Sequence, residues 1–167
     1  MGAGMENNDM NMLEIGIPGQ APLYLEYLVL DFNGTLALDG ALLPEVADAL
    51  WQLSERLTIH VVTADTFGQA REALAGLPCE LTVLHAERQD SAKLAYIEKL
   101  GAERCVCIGN GRNDLLMLEK AALGIAVMQG EGAAVATLLA ADVAAPDIRT
   151  ALGLLRHPLR LIATLRS

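Results

Sequence analysis

Hydrophobic positions along this chain fall in short, dense runs separated by polar breaks, and several runs end on a residue able to do chemistry. The run at 24–30 is apolar, β-branched or aromatic apart from one glutamate and ends at Asp31, as a buried strand would. Further strands are expected at 58–63, 81–84, 105–108, 124–128 and 142–145. Between them the spacing turns helical. Pro44 opens a helix with Val46, Leu50, Trp51 and Leu53 on its inner side, and a second helix over 66–75 stops at Gly76-Leu77-Pro78. A third, over 90–100, ends at Gly101, and others are expected after Asp114, over 132–140 and from Asp147 onward. Strand and helix alternate, so right-handed crossovers give a three-layer, Rossmann-like α/β fold with a central, mainly parallel sheet.

Two hairpins precede the main alternation. Residues 13–17 alternate like an edge strand, Pro18-Gly19 marks a turn, and the strand into Asp31 is expected to pair back, making a hairpin over 13–31. Asp39-Gly40, between apolar triplets, predicts a tight hairpin over about 36–43, a small flap above the end of the Asp31 strand. Residues 1–12 read as a disordered lead and 13–167 as one domain.

Composition narrows this picture. Of 167 residues 53 % are apolar but only 4 % aromatic, so the core is built of Leu, Val, Ile and Ala, as in helix-covered parallel sheets. A formal charge of −9 and a pI near 4.7 argue against nucleic acid as a partner, and a phosphate site here would need a cation or local donors. Cys79, Cys105 and Cys107 have no zinc-ligand spacing, and Cys105 and Cys107 share one strand face as small core residues, which fits a reducing, cytoplasmic setting. No apolar run is long enough to span a membrane, and the first residues do not pattern as a signal peptide.

Asp31 closes its strand at the carboxyl edge of the sheet, where open α/β folds place ligands. Gly34 lets the chain turn there and Thr35 adds a hydroxyl. Alone, Asp31-Phe32-Asn33-Gly34-Thr35 could be a strand and a turn. Thr63 ends the next strand, Lys93 sits on a predicted helix, and the Gly109–Asp114 loop, GNGRND, follows a third strand at the same edge. Singly, Thr63 reads as a strand-end hydroxyl, Lys93 as a solvated helix residue with Lys99 its rival, and the loop as a turn. His60, His85 and His157 are scattered and read as structural or surface residues.

Taken in order, these four features resemble the haloacid dehalogenase-like superfamily of phosphatases and P-type ATPases, from about Tyr24 to the last strands. GNGRND is similar to the hinge loop of P-type ATPases, and the nearest likeness is to small soluble P-type-ATPase-like proteins. The resemblance implies Asp31 as nucleophile, forming an aspartyl phosphate, with Asn33, Thr63 and Lys93 completing the catalytic set. Phosphate would be held by Asn33, Gly34, Thr63, Ala64 and Lys93, and Mg²⁺ by Asp31, the carbonyl of Asn33, Asn110 and Asp114. It implies a small phosphorylated substrate.

Two departures qualify the implied activity. Phosphatases of the superfamily carry a second Asp two residues after the nucleophile, and this chain has Asn33, so a general-acid contribution of typically ~10²–10⁴-fold should be missing. Asn110 stands where the loop usually has an acidic metal ligand. The expectation is therefore slow turnover favouring acyl phosphates or phosphoanhydrides; the alternative is a regulatory module that binds phosphate or is phosphorylated on Asp31. A receiver-type phosphorelay domain does not fit, because its phosphorylated Asp follows the third strand. There is no room for a cap domain, so the site should be open unless a neighbouring subunit of a homo-oligomer covers it or a protein substrate enters.

Overall fold

The computed structural model describes residues 11–65, 68–85 and 87–167. Most of the expected lead lies outside them, as does the expected start of the second helix; of residues 11 and 12, Met12 accepts a hydrogen bond through its carbonyl from Arg56.

Among the described residues ten strands and seven α-helices follow in order: β1 (Leu13–Ile15), β2 (Leu23–Leu25), β3 (Tyr27–Asp31), β4 (Ala37–Leu38), β5 (Ala41–Leu42), α1 (Val46–Leu53), β6 (Thr58–Thr63), α2 (Gln69–Ala73), β7 (Glu80–Val83), α3 (Gln89–Leu100), β8 (Cys105–Gly109), α4 (Leu115–Lys120), β9 (Leu123–Val127), α5 (Val135–Ala140), β10 (Val143–Ala145), α6 (Ile148–Arg156) and α7 (Pro158–Leu165). Six strands form one sheet in the order β10-β9-β8-β3-β6-β7, and every neighbouring pair is parallel. β3 is therefore central, and chain direction brings the ends of β3, β6 and β8 to one edge. Among the described residues no helix is long and apolar enough to cross a membrane.

The pleat decides what faces what. Leu28 and Leu30 of β3 join the core beneath α1 and α6, whereas Val29 faces the opposite layer with Cys105, Cys107, Ile97, Met117 and Leu118. Asp31 has the parity of Val29, so its side chain leaves the strand toward the layer that contains α3. That single step of register puts Asp31 within reach of Lys93.

Two expectations need correction. The first hairpin closes between β1 and β2, with Leu13 opposite Leu25, and not with the strand into Asp31. The extended run divides at Glu26, whose N–H donates to Arg104 O and whose carbonyl accepts from Thr58 N, so the chain beyond it is committed to the parallel sheet. Trp51 is 54 % exposed. α1 buries Val46, Ala49, Leu50 and Leu53, a stripe of three- and four-residue steps that position 51 leaves. The flap forms as expected: β4 and β5 pair antiparallel around Asp39 (φ 51°) and Gly40 (φ 80°), the two positive φ values a type I′ turn demands.

Candidate active site

Asp31 is 7 % exposed and Lys93 fully buried. Lys93 occupies the inward stripe of α3 one turn before Ile97, and its Nζ donates to Asp31 Oδ1 at 2.7 Å and to Asp114 Oδ1 at 2.7 Å. Lys99, on the same helix, is exposed, so Lys93 is the lysine at this edge. Asp114 is held from its other oxygen as well: Asn110 N–H and Gly111 N–H both donate to Oδ2 at 3.0 Å. Gly109 makes this packing possible, since a Cβ there would lie 2.5 Å from the Asp114 carboxyl carbon.

The electrostatics follow from burial. Removal from water, then the charge of Asp114, push the Asp31 carboxyl up to about 7 against the downward pull of Lys93 and the Thr35 hydroxyl. For Lys93 burial is the largest influence and pulls downward, but the charges of Asp31 and Asp114 and their hydrogen bonds together outweigh it, and the net shift is upward. One buried ammonium thus balances two buried carboxylates, and the cluster carries a surplus negative charge that an added cation would offset.

Asn33 is exposed while its neighbour Phe32 is completely buried, so the alternation carries Asn33 into the open space above the sheet edge. Asp31, Asn33, Thr63, Ala64, Asn110 and Glu131 are among the residues lining a cavity of about 510 Å³ there. Thr63 Oγ1 accepts from Asp65 N–H at 3.2 Å, which leaves its own proton for a ligand. Gly34 departs from the expected phosphate-binding set. Its N–H donates to Ala37 O at 2.8 Å, because the chain folds back tightly enough for the N–H groups of Thr35, Leu36 and Ala37 to converge on Phe32 O.

Thr35 Oγ1 stands 3.2 Å from Asp31 Oδ2 and 3.2 Å from Asn110 Oδ1. A hydroxyl has one proton, so it satisfies only one of these oxygens at a time. Two converging acceptors, one carboxylate and one amide, suit a hard, oxygen-seeking cation such as Mg²⁺, and Asn33 lines the same cavity. Among the described residues no cluster of three or more His, Cys, Asp or Glu is placed to hold a metal.

Sequence reasoning passed over three residues here. Gln129 Nε2 donates to Gly34 O at 3.0 Å and Thr35 O at 2.7 Å, while its Oε1 accepts from Ile148 N–H at 2.9 Å, tying the turn after Asp31 to the start of α6. Glu131 and Asp65 reach the cavity wall. Gln129 and Glu131 follow the carboxyl end of β9 and Asp65 that of β6, so the edge rule that selected Asp31 would have found them.

Residues 91–142, which hold Lys93 and the Gly109–Asp114 loop, match a family model described as haloacid dehalogenase-like hydrolase. An uncharacterized protein of Methanocaldococcus jannaschii is 46 % identical over 79 residues, spanning 45 % of this chain and 85 % of that one. Among solved structures, the cobalt-bound deoxy-D-mannose-octulosonate 8-phosphate phosphatase of Haemophilus influenzae superposes with a TM-score of 0.67 at 15 % identity, over 86 % of this chain and 94 % of that one. The corresponding Moraxella catarrhalis enzyme, solved with magnesium and phosphate, gives 0.62 at 17 % identity over 85 % and 94 %. A phosphoserine phosphatase in apo form gives 0.62 at 16 % identity over 77 % and 98 %. Identities this low speak to the fold alone, and the family-model match falls within it over residues 91–142. The match over residues 91–142 is to the haloacid dehalogenase-like hydrolases, and the fold of the chain is the one their solved phosphatases share.

Proposed function

We propose that this protein is a Mg²⁺-dependent phosphohydrolase or phosphotransferase that works through an aspartyl phosphate on Asp31. The observation that carries the reading is Lys93 Nζ, buried behind the cavity and held 2.7 Å from both Asp31 and Asp114, while Asp31 itself lines the cavity at the end of the central strand. A carboxylate oxygen of Asp31 attacks phosphorus, the bond from phosphorus to the leaving oxygen breaks, and an acyl phosphate forms on the side chain. Water then attacks the same phosphorus, releasing inorganic phosphate and restoring the carboxylate. Lys93 keeps its proton throughout and fixes the Asp31 rotamer, while the Thr63 O–H donates to a phosphoryl oxygen. Asp31, the Asn33 carbonyl and Asn110 would hold the metal, with Asp114 fixing Lys93 and the loop beside it. The ion, when bound, supplies positive charge that keeps Asp31 ionised and balances phosphate.

Asn33 supports a preference for leaving groups that need no proton, namely acyl phosphates and phosphoanhydrides, since an amide neither donates nor accepts a proton near neutrality. The cavity supports a second restriction. It is lined by the carboxylates of Asp31, Asp65 and Glu131 and by no lysine or arginine among the described residues. Such a mouth does not suit a sugar acid like the octulosonate named for the Haemophilus enzyme, and of the two classes favours an acyl phosphate whose acyl part carries no charge of its own over a polyanionic nucleotide. Asn33 and Asn110 together also favour a second reading: a regulatory module that binds phosphate or is itself phosphorylated on Asp31 without efficient turnover.

The test is a panel of acetyl phosphate, nucleotides and alkyl phosphomonoesters with Mg²⁺. Acetyl phosphate should be turned over slowly and leave an acid-stable phosphoenzyme, Asp31→Asn should abolish both, and Asn33→Asp should speed loss of the phosphoenzyme. Activity that survives Asp31→Asn would sink the mechanism; a phosphoenzyme without turnover selects the second reading.

A further inference from the structure

The turn after β9 does two things at once at this site. Gly132 O accepts from Asn110 Nδ2 at 3.1 Å. With the amide nitrogen anchored there, Asn110 Oδ1 points back toward Thr35 Oγ1, the hydroxyl that also faces Asp31 Oδ2. The same turn carries Glu131, one residue before Gly132. A point one Cβ out from Gly34 lies 2.6 Å from Asn110 Nδ2, 2.9 Å from Asn110 Oδ1, and directly against Glu131 Oε2. Glu131 and Asn110 are thus neighbours over the same notch, and both line the cavity that Asp31 and Asn33 line.

The turn is well held. Gly132 N–H closes on Gln129 O at 2.6 Å, Ala134 N–H donates to Asn110 O at 2.9 Å, and Gln129 clamps the turn to Gly34 and Thr35. A glutamate at the tip of an anchored turn, aimed at a site whose loop residue is amide where a carboxylate would be stronger, is more than a surface charge.

We infer that Glu131 is the carboxylate that stands in for the charge Asn110 lacks, as a ligand of the divalent cation directly or through one water. Asn110 keeps the position and the neutral oxygen; Glu131 supplies the negative charge from the neighbouring strand end. Hard cations accept such an exchange because ligand charge and count set affinity more than the identity of the donating strand. The inference rests on the Asp31-centred metal site proposed above.

Mn²⁺ binding to the purified protein, read by electron paramagnetic resonance and by calorimetry with Mg²⁺ in competition, tests it without any turnover. Glu131→Gln should weaken Mn²⁺ binding about tenfold or more. Asn110→Asp in that background should restore it, because the charge returns to the loop. Glu131 is exposed, so its replacement should leave the thermal midpoint of the metal-free protein unchanged. Mn²⁺ affinity that depends on Asp31 but changes less than about twofold in Glu131→Gln overturns the role of Glu131 alone. Affinity indifferent to Asp31→Asn puts the ion elsewhere and overturns the underlying site as well.

Discussion

Lys93 and Tyr96 stand one turn apart on the inward stripe of α3, and each carries a polar group into the layer between helix and sheet. At the Lys93 end the partners are charged: Asp31 and Asp114, both at 2.7 Å. At the Tyr96 end they are neutral. Tyr96 OH lies 2.8 Å from His60 Nδ1 and 3.2 Å from Thr82 Oγ1, and Tyr27 and Tyr96 meet the His60 ring edge-on. The neutral cluster needs only that hydroxyls and a ring nitrogen match. The charged one leaves a net negative charge out of water, an arrangement worse for stability than apolar packing of the same volume. A fold keeps such a cluster where chemistry requires it, and the contrast separates a site from a packed polar core.

The contrast breaks most visibly at Lys93. Replacing it with Met keeps the volume and removes the ammonium, leaving Asp31 and Asp114 to face each other unbalanced. Unfolding by denaturant should show a loss of about 3–5 kcal/mol at neutral pH, the range for breaking one partner from a buried ionic cluster. Adding Asp114→Asn should recover part of that loss. A Lys93→Met protein as stable as its parent would mean that the ammonium does not balance these carboxylates.

Asp31→Asn should act in the opposite direction. It removes the carboxyl that burial and Asp114 already push up to about 7 and leaves Lys93 and Asp114 as a balanced pair. In metal-free buffer at pH 8 the variant should gain about 1–2 kcal/mol while losing phosphoenzyme formation, the usual trade between stability and a strained functional site. Added Mg²⁺ should narrow the gap, since only the parent binds it well. A destabilised Asp31→Asn protein would show that Asp31 serves the fold more than the chemistry.

What the sequence disclosed follows the same division. The sheet was legible because β3, β6, β8 and β9 are buried runs with turns between, and their order at the edge made Asp31, Thr63, Lys93 and the Gly109–Asp114 loop readable together. Trp51 and the first hairpin were misplaced for a local reason: helical phase and strand pairing depend on where a run breaks, and Glu26 breaks it through backbone bonds to Arg104 and Thr58 that no pattern reveals. Gln129 and Glu131 were legible in principle, from their place after β9. They were passed over because a Gln-Gly-Glu-Gly turn has no motif and its meaning arises only from contact with Gly34 and Asn110. The Tyr96–His60 pair was invisible, since it joins residues on separate elements through register alone.

The smallest effect belongs to that pair, and its sign is defined. Burial holds the His60 imidazole below its usual value, against a weaker upward pull from Glu80. His60 Nε2 is buried without a partner, so a proton added there would find no acceptor. Below the unfolded-state value near 6.5 the unfolded chain takes up a proton that the folded one resists, so stability falls as pH drops through 6.5 toward the lower folded value. Asp31 opposes this in metal-free protein: its raised carboxyl gains a proton in the folded state first, and stability rises as pH falls from about 7 toward 3.8. The two slopes separate in an Asp31→Asn background. There, unfolding free energy measured from pH 7.5 to 5.5 should decline with acid, and adding His60→Gln should flatten the decline even though it costs the Tyr96 hydrogen bond at every pH. An unchanged slope after His60→Gln would show that the neutral cluster does not resist protonation, and the difference between the two ends of α3 would then lie in geometry alone.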